Sequence, residues 1–185
     1  MKRTRSVDVA FSEVWPTVAE KYELGYQPDE NGSGTVSGSY AGREIVIPPR
    51  SRYRRPGGYL TIEMTVTNAQ NSYFTLSSGF RSSILKRYKA KGIETADKTF
   101  DQQFMLKGDP TPLIRLLFKS ASLRRATLKA RWMGSLDIKL YENTLSFLLK
   151  DQGMANVRHM ESYLELLKRL ADVIDELPPL MSLKE

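Results

Sequence analysis

The feature that most constrains the fold is the strict alternation of apolar and polar side chains in parts of the chain. In residues 136–149 apolar side chains take every second position on either side of Glu142-Asn143, which predicts a β-hairpin. Residues 59–67 alternate in the same way, and a further pair of strands is predicted over residues 36–47 around a turn at Ala41-Gly42. Because successive side chains of a strand point to opposite faces, these patterns predict half-buried antiparallel strands. The apolar positions of the two clearest stretches are Leu60, Ile62, Met64, Val66, Leu136, Ile138, Leu140, Leu145, Phe147 and Leu149.

Helical periodicity marks both ends of the chain. Apolar residues at helical spacing over residues 11–22 predict a first helix with Gly25 as its stop. Pro16 interrupts this pattern, so the helix is either kinked or begins near Trp15 with Pro16 in its first turn. Residues 157–174 predict a last helix of about five turns that ends before Pro178-Pro179. Its narrow apolar seam is predicted to consist of Val157, Met160, Leu164, Leu167, Ala171 and Ile174. Two shorter helices are predicted, one basic helix from Phe80 that ends at Gly92 and one from Ser120 or Ser122 to about Ala130.

Together these elements predict an α+β fold in which an antiparallel sheet carries helices packed on one side. A chain of 185 residues fits one domain. A chain of this size buries roughly 70% of the surface that its unfolded form exposes, so it needs neither metal nor disulfide to fold. The halves 1–92 and 93–179 each pair a helix with a hairpin, which leaves open a division into two similar subdomains. Residues 180–185 are expected to form a C-terminal tail.

The residue types exclude several kinds of catalytic and metal site. The chain has no cysteine, which excludes a cysteine nucleophile and agrees with a reducing cytoplasm. A serine hydrolase needs a base, but the one histidine, His159, lies at the flank of the last helix's apolar seam, where we expect a structural role. No Gly-x-Ser-x-Gly sequence is present, and one histidine cannot form a zinc, copper or iron cluster. We therefore predict no catalytic residues, no metal site and no cofactor, and the case for an enzyme is weak.

Residues 97–110, Asp-Lys-Thr-Phe-Asp-Gln-Gln-Phe-Met-Leu-Lys-Gly-Asp-Pro, combine helix and strand signals. Phe100 and Phe104 are spaced to share one helical face, and we predict that both are core anchors. One helical turn, capped by Thr95 or Asp97, is predicted to continue into a strand. The remaining predictions for this stretch are a solvated Asp101, a strand end at Gly108, and a further helix that Asp109 caps and Pro110 begins.

The same stretch resembles uncharacterised bacterial and archaeal proteins with a Thr-Gly-Asp-x-x-Phe-Asp-x-x-Phe pattern, followed by a Gly-Asp pair, a leucine-rich helix and a hairpin. The match covers Ile93 to Leu149, with Ala96 where the family has glycine. Similar domains of unknown function often belong to membrane-associated proteins, on the cytoplasmic side. The resemblance implies no catalytic residues that could be assigned to this chain.

The net charge is 28 − 21 = +7, and the distribution of the basic residues along the sequence predicts a localised basic surface. Seven basic residues, as many as the whole excess, lie in two tracts: Lys2, Arg3 and Arg5, then Arg50, Arg52, Arg54 and Arg55. In an extended chain Arg50, Arg52 and Arg54 point the same way, and Tyr53 can stack on a base or lie at a membrane interface. Four guanidiniums this close repel one another unless an anion or nearby acids neutralise them. The second tract is therefore either a solvated loop or a binding site formed by Arg50, Arg52, Tyr53, Arg54 and Arg55.

These observations favour a non-enzymatic interaction module with a basic surface for an anionic partner. The partner is an anionic macromolecule or a membrane surface, and nucleic acid is not excluded, although no nucleic-acid-binding signature accompanies the charge. The alternative is a small-molecule-binding or enzymatic domain with a pocket between sheet and helices, lined by Tyr40, Tyr59 or Trp132. No segment approaches the roughly 20 apolar residues of a membrane span, and the amino terminus does not read as an export signal, so a cytoplasmic location is expected. Self-association through the last helix is a third hypothesis, although packing of that helix on its own sheet is favoured.

Overall fold

The structure is a computed structural model that describes residues 14–30, 34–49, 59–78, 92–132, 136–150 and 157–179. The strands are β1 (Gly25–Gln27), β2 (Thr35–Tyr40), β3 (Arg43–Ile47), β4 (Tyr59–Thr65), β5 (Tyr73–Ser77), β6 (Met105–Asp109), β7 (Leu136–Tyr141) and β8 (Thr144–Lys150). The helices within these ranges are α1 (residues 14–21), α2 (Lys98–Gln103), α3 (Thr111–Leu117), α4 (Ala121–Trp132) and α5 (Val157–Asp175).

All eight strands form a single antiparallel sheet in the order β1-β2-β3-β4-β8-β7-β5-β6. The two hairpins predicted from alternation, β2–β3 and β7–β8, are both present. The turn residues of the first, Ala41 and Gly42, have φ of 52° and 78°. Two central turn residues with positive φ match the right-handed twist of the flanking strands, and glycine adopts this conformation without strain. The predicted α+β fold is confirmed.

The strand order interleaves the two halves of the chain. β4, from the first half, pairs with β8 along its whole length, from Tyr59–Lys150 to Thr65–Thr144. β5, also from the first half, lies between β7 and β6 of the second half. The hydrogen bonds that hold the centre of the sheet therefore join residues from both halves.

One face of the sheet is buried and the other is open. On β4, β7 and β8, every apolar residue of the alternating pattern up to Leu149 is at most 2% exposed, apart from Val66 beyond the end of β4. The residues between these positions point to the opposite side, which we call the open face. Its central members are Thr61, Glu63, Thr65, Asp137, Lys139, Tyr141, Thr144, Ser146 and Leu148.

The last helix, α5, covers the buried face with a broader apolar surface than the predicted seam. Tyr163, Leu166 and Leu170 add to the predicted positions, whereas Val157 is only partly buried. The buried residues of α5 are Met160, Tyr163, Leu164, Leu166, Leu167, Leu170, Ala171 and Ile174. Because these side chains join the core of the same chain, packing of the last helix on its own sheet is confirmed.

Charged side chains fix the carboxyl-terminal part of α5 to the sheet beside the β2–β3 turn. Arg43, at the start of β3, donates from Nη1 to Asp172 Oδ1 at 2.8 Å and from Nη2 to Asp175 Oδ2 at 2.6 Å. Asp175 also accepts from the backbone N–H of Thr67 at 2.7 Å. A planar guanidinium suits such a pair of carboxylates because its donors form a fixed fork.

The first helix ends earlier than predicted. The chain leaves α1 through Glu23, which has a φ of 55°, and Gly25 already belongs to β1. The backbone N–H of Leu24 donates to the carbonyl of Ala19, and that of Glu23 donates to Glu20. This pair of hydrogen bonds is the Schellman motif, which terminates a helix with one left-handed residue. Gly25 as the stop was therefore wrong by two residues.

The start of α3 also differs from the prediction. Asp109 does not cap the helix because it is the last residue of β6, where it pairs with Tyr73. Pro110 is the N-cap, no side chain caps it, and the helix begins at Thr111. By contrast, α4 is capped by Ser120, one of the two serines predicted as alternatives, since its Oγ accepts from Leu123 N at 3.3 Å.

Candidate interaction surface

The predicted binding residues Arg50, Arg52, Tyr53, Arg54 and Arg55 lie outside the described residues, as does the predicted basic helix up to residue 91. The structure does describe the strands to which both segments are joined. Residues 50–58 connect β3 to β4, and residues 79–91 follow β5. The positions of those strand ends decide which part of the molecule carries each segment.

Both segments are joined to the same end of the sheet. β1, β3, β5 and β8 finish at this end, and β2, β4, β6 and β7 begin there, as the antiparallel registers require. We call it the loop end. At the opposite end short described turns join β2 to β3 and β7 to β8. The segments that connect to the loop end are residues 31–33, 50–58, 79–91, 133–135 and 151–156.

The two longest of these segments are basic and contain no acidic residue. Residues 50–58 contain four arginines. Residues 79–91 contain Arg81, Lys86, Arg87, Lys89 and Lys91. Three strand spacings separate β4 from β5, so their attachment points lie about 14 Å apart. A single extended anionic surface is large enough to meet both segments.

Residues 97–110 have a structural role in the described geometry. The side chain of Asp97 accepts from the backbone N–H of Phe100 at 3.1 Å and caps α2, as predicted. This hydrogen bond, together with one from Arg124, holds the pKa of the Asp97 carboxyl below its usual value. Phe100 and Phe104 are buried with ring centroids 4.8 Å apart, so both are core anchors.

Asp101 is not the solvated acid that the sequence predicted. Its carboxylate accepts from the backbone N–H of Thr95 at 3.1 Å and from Thr95 Oγ1 at 2.8 Å. The contact holds the segment before α2 against the helix, so Asp101 is engaged in local structure. The spacing from Thr95 to Asp101 gives no helical or strand signal, which is why sequence periodicity could not reveal the contact.

Of the aromatic residues proposed to line a pocket, the structure describes the side chain of Tyr40. Tyr40 packs edge-to-face on Tyr22 with ring centroids 5.3 Å apart, and partial burial raises its pKa. The side chains of Tyr59 and Trp132 lie outside the description. Burial raises the pKa of Tyr163 to about 12, so its hydroxyl stays neutral to higher pH than that of an exposed tyrosine.

Two open grooves lie elsewhere on the surface. One, of about 470 Å³, runs between α4 and α5 over Ala126, Ala130 and Leu166. The other, of about 450 Å³, lies beside β6 and includes Gly92 and Arg115. Ser162 lies in the first groove with Glu161 and Glu165, but its hydroxyl donates to the backbone carbonyl of Arg158 at 3.1 Å. Within the described ranges, no group of three His, Cys, Asp or Glu side chains could hold a metal ion, and no helix is long and apolar enough to cross a membrane.

The fold and surface define an α+β protein with one open sheet face and several connections at one end of the sheet. No family model matches the chain, and no curated protein matches it. Among solved structures, the crystal structure of the mycobacterial trehalose monomycolate transport factor A, TtfA, is similar to it, with a TM-score of 0.61 and 12% identity. The match covers 92% of this chain and 98% of that chain. At this identity the likeness shows a shared fold, and the motif-based kinship of residues 93–149 stays a prediction.

Proposed function

We propose that this chain is a non-enzymatic interaction module that meets an anionic partner at the loop end of the sheet. The observation that carries the proposal is the common attachment of residues 50–58 and 79–91. Together they hold nine basic residues and no acid, which exceeds the net charge of +7 for the whole chain. Basic groups attached to one end of a molecule produce a directed field that a diffuse excess would not.

An anionic lipid layer is the partner that we favour. Tyr53, Phe80 and Tyr88 interleave with the basic residues of the two segments. Aromatic rings are suited to the boundary between lipid and water, and lysine or arginine side chains are attracted to acidic head groups. TtfA, which shares the fold, is named for the transport of trehalose monomycolate and not for a reaction that it catalyses. The name of TtfA supports an interaction role for this fold.

The test compares the full chain with a variant in which Arg50, Arg52, Arg54 and Arg55 are replaced by serine. We expect the unmodified chain to sediment with vesicles containing phosphatidylserine and not with neutral phosphatidylcholine vesicles. Each basic residue near an acidic bilayer contributes about 1 kcal/mol, so the variant should bind roughly a thousandfold more weakly. Retention on heparin should fall in parallel and should be sensitive to salt.

A matched control removes the same charge from the helical side of the molecule. Arg115, Lys119, Arg125 and Lys129 are exposed and lie on or beside α3 and α4. Their replacement by serine should leave vesicle binding close to that of the unmodified chain. An equal loss of vesicle binding in both variants would show that only net charge matters. If the first variant binds vesicles as well as the unmodified chain, residues 50–58, which we call the arginine loop, are not the binding site. Binding to duplex DNA but not to acidic vesicles would replace the lipid layer by nucleic acid.

A further inference from the structure

The open face of the sheet carries a group of exposed apolar side chains that the proposed function does not use. In the described part of the chain, the exposed large hydrophobic residues are Tyr73, Tyr141 and Leu148, at 53%, 57% and 38% exposure. They lie on the neighbouring strands β5, β7 and β8 and all point to the open face. Extending the β5–β7 register by one residue places Tyr73 opposite Tyr141.

The centre of this face has opposite charges at equal distances from β8. Ser146 of β8 pairs with Glu63 on one side and with Lys139 on the other. Both charged side chains are exposed, and neither forms an ion pair with another described residue. Lys139 Nζ lies 5.2 Å from the centroid of the Tyr141 ring. Adjacent strands are about 4.8 Å apart, so the two charges are placed symmetrically about β8.

We propose that the open face binds a second copy of this chain, sheet against sheet, about a two-fold axis parallel to β8. Rotation about this axis exchanges β4 of one copy with β7 of the other, so each Glu63 faces the partner copy's Lys139. Leu148 lies on the axis and meets its own counterpart. An isologous interface requires such self-complementarity, since the same patch is used twice.

The neighbouring rows of residues are compatible with the same rotation. It places Thr65 against Tyr141, and Thr61 against Asp137, whose carboxylate already accepts from Ser78 N at 3.1 Å. Thr144, Ser146 and Leu148 each belong to a row of residues that are paired across the neighbouring strands. In these three rows, the rotation brings no two like charges of the described residues face to face. Because both sheets are twisted, the facing residues of the two copies match best close to the axis.

The size of the face sets the expected strength of association. Six strands from β3 to β6, each about five residues long, span roughly 24 Å by 17 Å, or about 400 Å² in projection. Specific stable interfaces bury about 800 Å² on each partner, so this dimer is expected to be weak and to form at micromolar concentrations or above.

Sedimentation equilibrium of the full chain tests the proposal over a wide concentration range. The weight-average mass should rise from the monomer value of 21.1 kDa towards twice that value. Glu63→Lys and Lys139→Glu should each raise the dissociation constant by more than about tenfold, because each places like charges face to face twice. The double variant Glu63→Lys/Lys139→Glu should restore dimerisation, with far-UV circular dichroism confirming that each variant is folded.

Two features of this design separate the proposal from a general charge effect. Glu63→Lys raises the net charge and Lys139→Glu lowers it, so simple self-repulsion of a basic protein would move the two variants in opposite directions. Lys129→Glu on α4 changes the net charge as Lys139→Glu does and should leave dimerisation unchanged. The serine variant of the arginine loop should also still dimerise, which keeps this test independent of the proposed function.

Several results would overturn the proposal. If the chain stays monomeric at all concentrations, the proposed dimer is wrong, and the open face is exposed to solvent or binds a different macromolecule. Growth beyond the dimer contradicts the closed two-fold arrangement. If Lys129→Glu weakens dimerisation and the two open-face substitutions do not, the contact lies in the groove between α4 and α5. If the double variant remains monomeric, Glu63 does not pair with Lys139 of the partner copy.

Discussion

Gly108, the glycine of the motif's Gly-Asp pair, lies where the structure has no space for a side chain. A Cβ at this position would lie 2.3 Å from the carbonyl oxygen of Tyr73 and 2.8 Å from Cβ of Phe74. Both neighbours belong to β5, which is fixed by ladders to β6 and β7. The Gly-Asp pair of the motif therefore has a packing reason in this chain: the two strands approach too closely for a side chain.

We predict that Gly108→Ala lowers the free energy of unfolding by more than about 2 kcal/mol, because backbone atoms must move to admit the methyl group. Gly42→Ala is the matched control, since its Cβ meets nothing within 4 Å and only its φ of 78° is unfavourable for alanine. That variant should lose about 1 kcal/mol. Urea unfolding followed by circular dichroism measures both, and equal losses would contradict the close-approach argument.

Asp97 gives the structure a pH-dependent contribution to stability. Its carboxyl pKa is lowered in the folded state by the backbone N–H of Phe100 and by Arg124, from an ordinary value of 3.8. A lowered pKa means that the stabilisation is fully present above pH 3.8 and is lost as pH falls through the folded-state value. Asparagine caps a helix as well as aspartate does but carries no charge.

The variant Asp97→Asn should therefore have a lower urea midpoint than the unmodified chain at pH 7. The difference should shrink below pH 3.8 and vanish once the carboxyl is protonated in both states. Urea titrations at a series of pH values measure this. A difference that persists unchanged at low pH would show that the ion pair with Arg124 is not its cause.

At the level of elements, Arg124 of α4 joins three helices. Its Nε donates to Asp97 Oδ2 at 3.0 Å, before α2, and its Nη1 donates to the carbonyls of Phe118 and Lys119 at 2.7 Å, after α3. The last carbonyls of a helix have no partner within the helix, so the guanidinium satisfies groups that would otherwise need water. The side chain is only 14% exposed.

We predict that Arg124→Ala destabilises the protein by about 3 kcal/mol, since two carbonyls and a carboxylate lose a charged donor at once. Arg124→Lys should give an intermediate loss because a compact ammonium cannot reach all three acceptors. The neighbouring Arg125 is exposed and, among the described residues, hydrogen-bonds within its own helix to Ala121 O, so Arg125→Ala should change stability by less than about 0.5 kcal/mol. Thermal unfolding compares the three variants, and similar losses for Arg124→Ala and Arg125→Ala would remove the special role of Arg124.

At the level of the whole molecule, the sheet interleaves strands from both halves of the chain, with β5 inserted between β7 and β6. Without residues 1–92, β7 and β6 lose the strand that lies between them, and β8 loses β4. An isolated two-stranded hairpin is at best marginally stable in water. The recurrence of a helix and a hairpin in each half, visible in the sequence, does not correspond to separate sheets.

We predict that a fragment of residues 93–179 shows no cooperative thermal transition by circular dichroism, and that the full chain unfolds in one step. Tryptophan fluorescence, which includes the buried Trp15, and far-UV circular dichroism should give coincident curves for the full chain. Coexpression with residues 1–92 should restore a folded complex. Cooperative melting of the 93–179 fragment alone would establish a subdomain.

Local patterns in the sequence were sufficient for several elements and failed for others. The hairpins β2–β3 and β7–β8, the strand β4 and the caps at Asp97 and Ser120 follow from alternation and capping chemistry, which act over a few residues. β5 was missed although Phe74 and Leu76 are buried and alternate with Tyr73, Thr75 and Ser77. A five-residue strand gives a weak signal, and this one is stabilised by partners far along the chain.

The sequence by itself determined which side chains of β4, β7 and β8 are buried, because the period of two is a property of the extended backbone. It also determined the basic character of residues 50–58 and 79–91, and it excluded cysteine catalysis. Only the tertiary structure decided the strand order, which joins both basic segments to one end of the sheet and places Glu63 and Lys139 on either side of Ser146. The reason is physical: alternation is set by neighbours along the chain, whereas strand order depends on long-range pairing between residues that no local pattern connects.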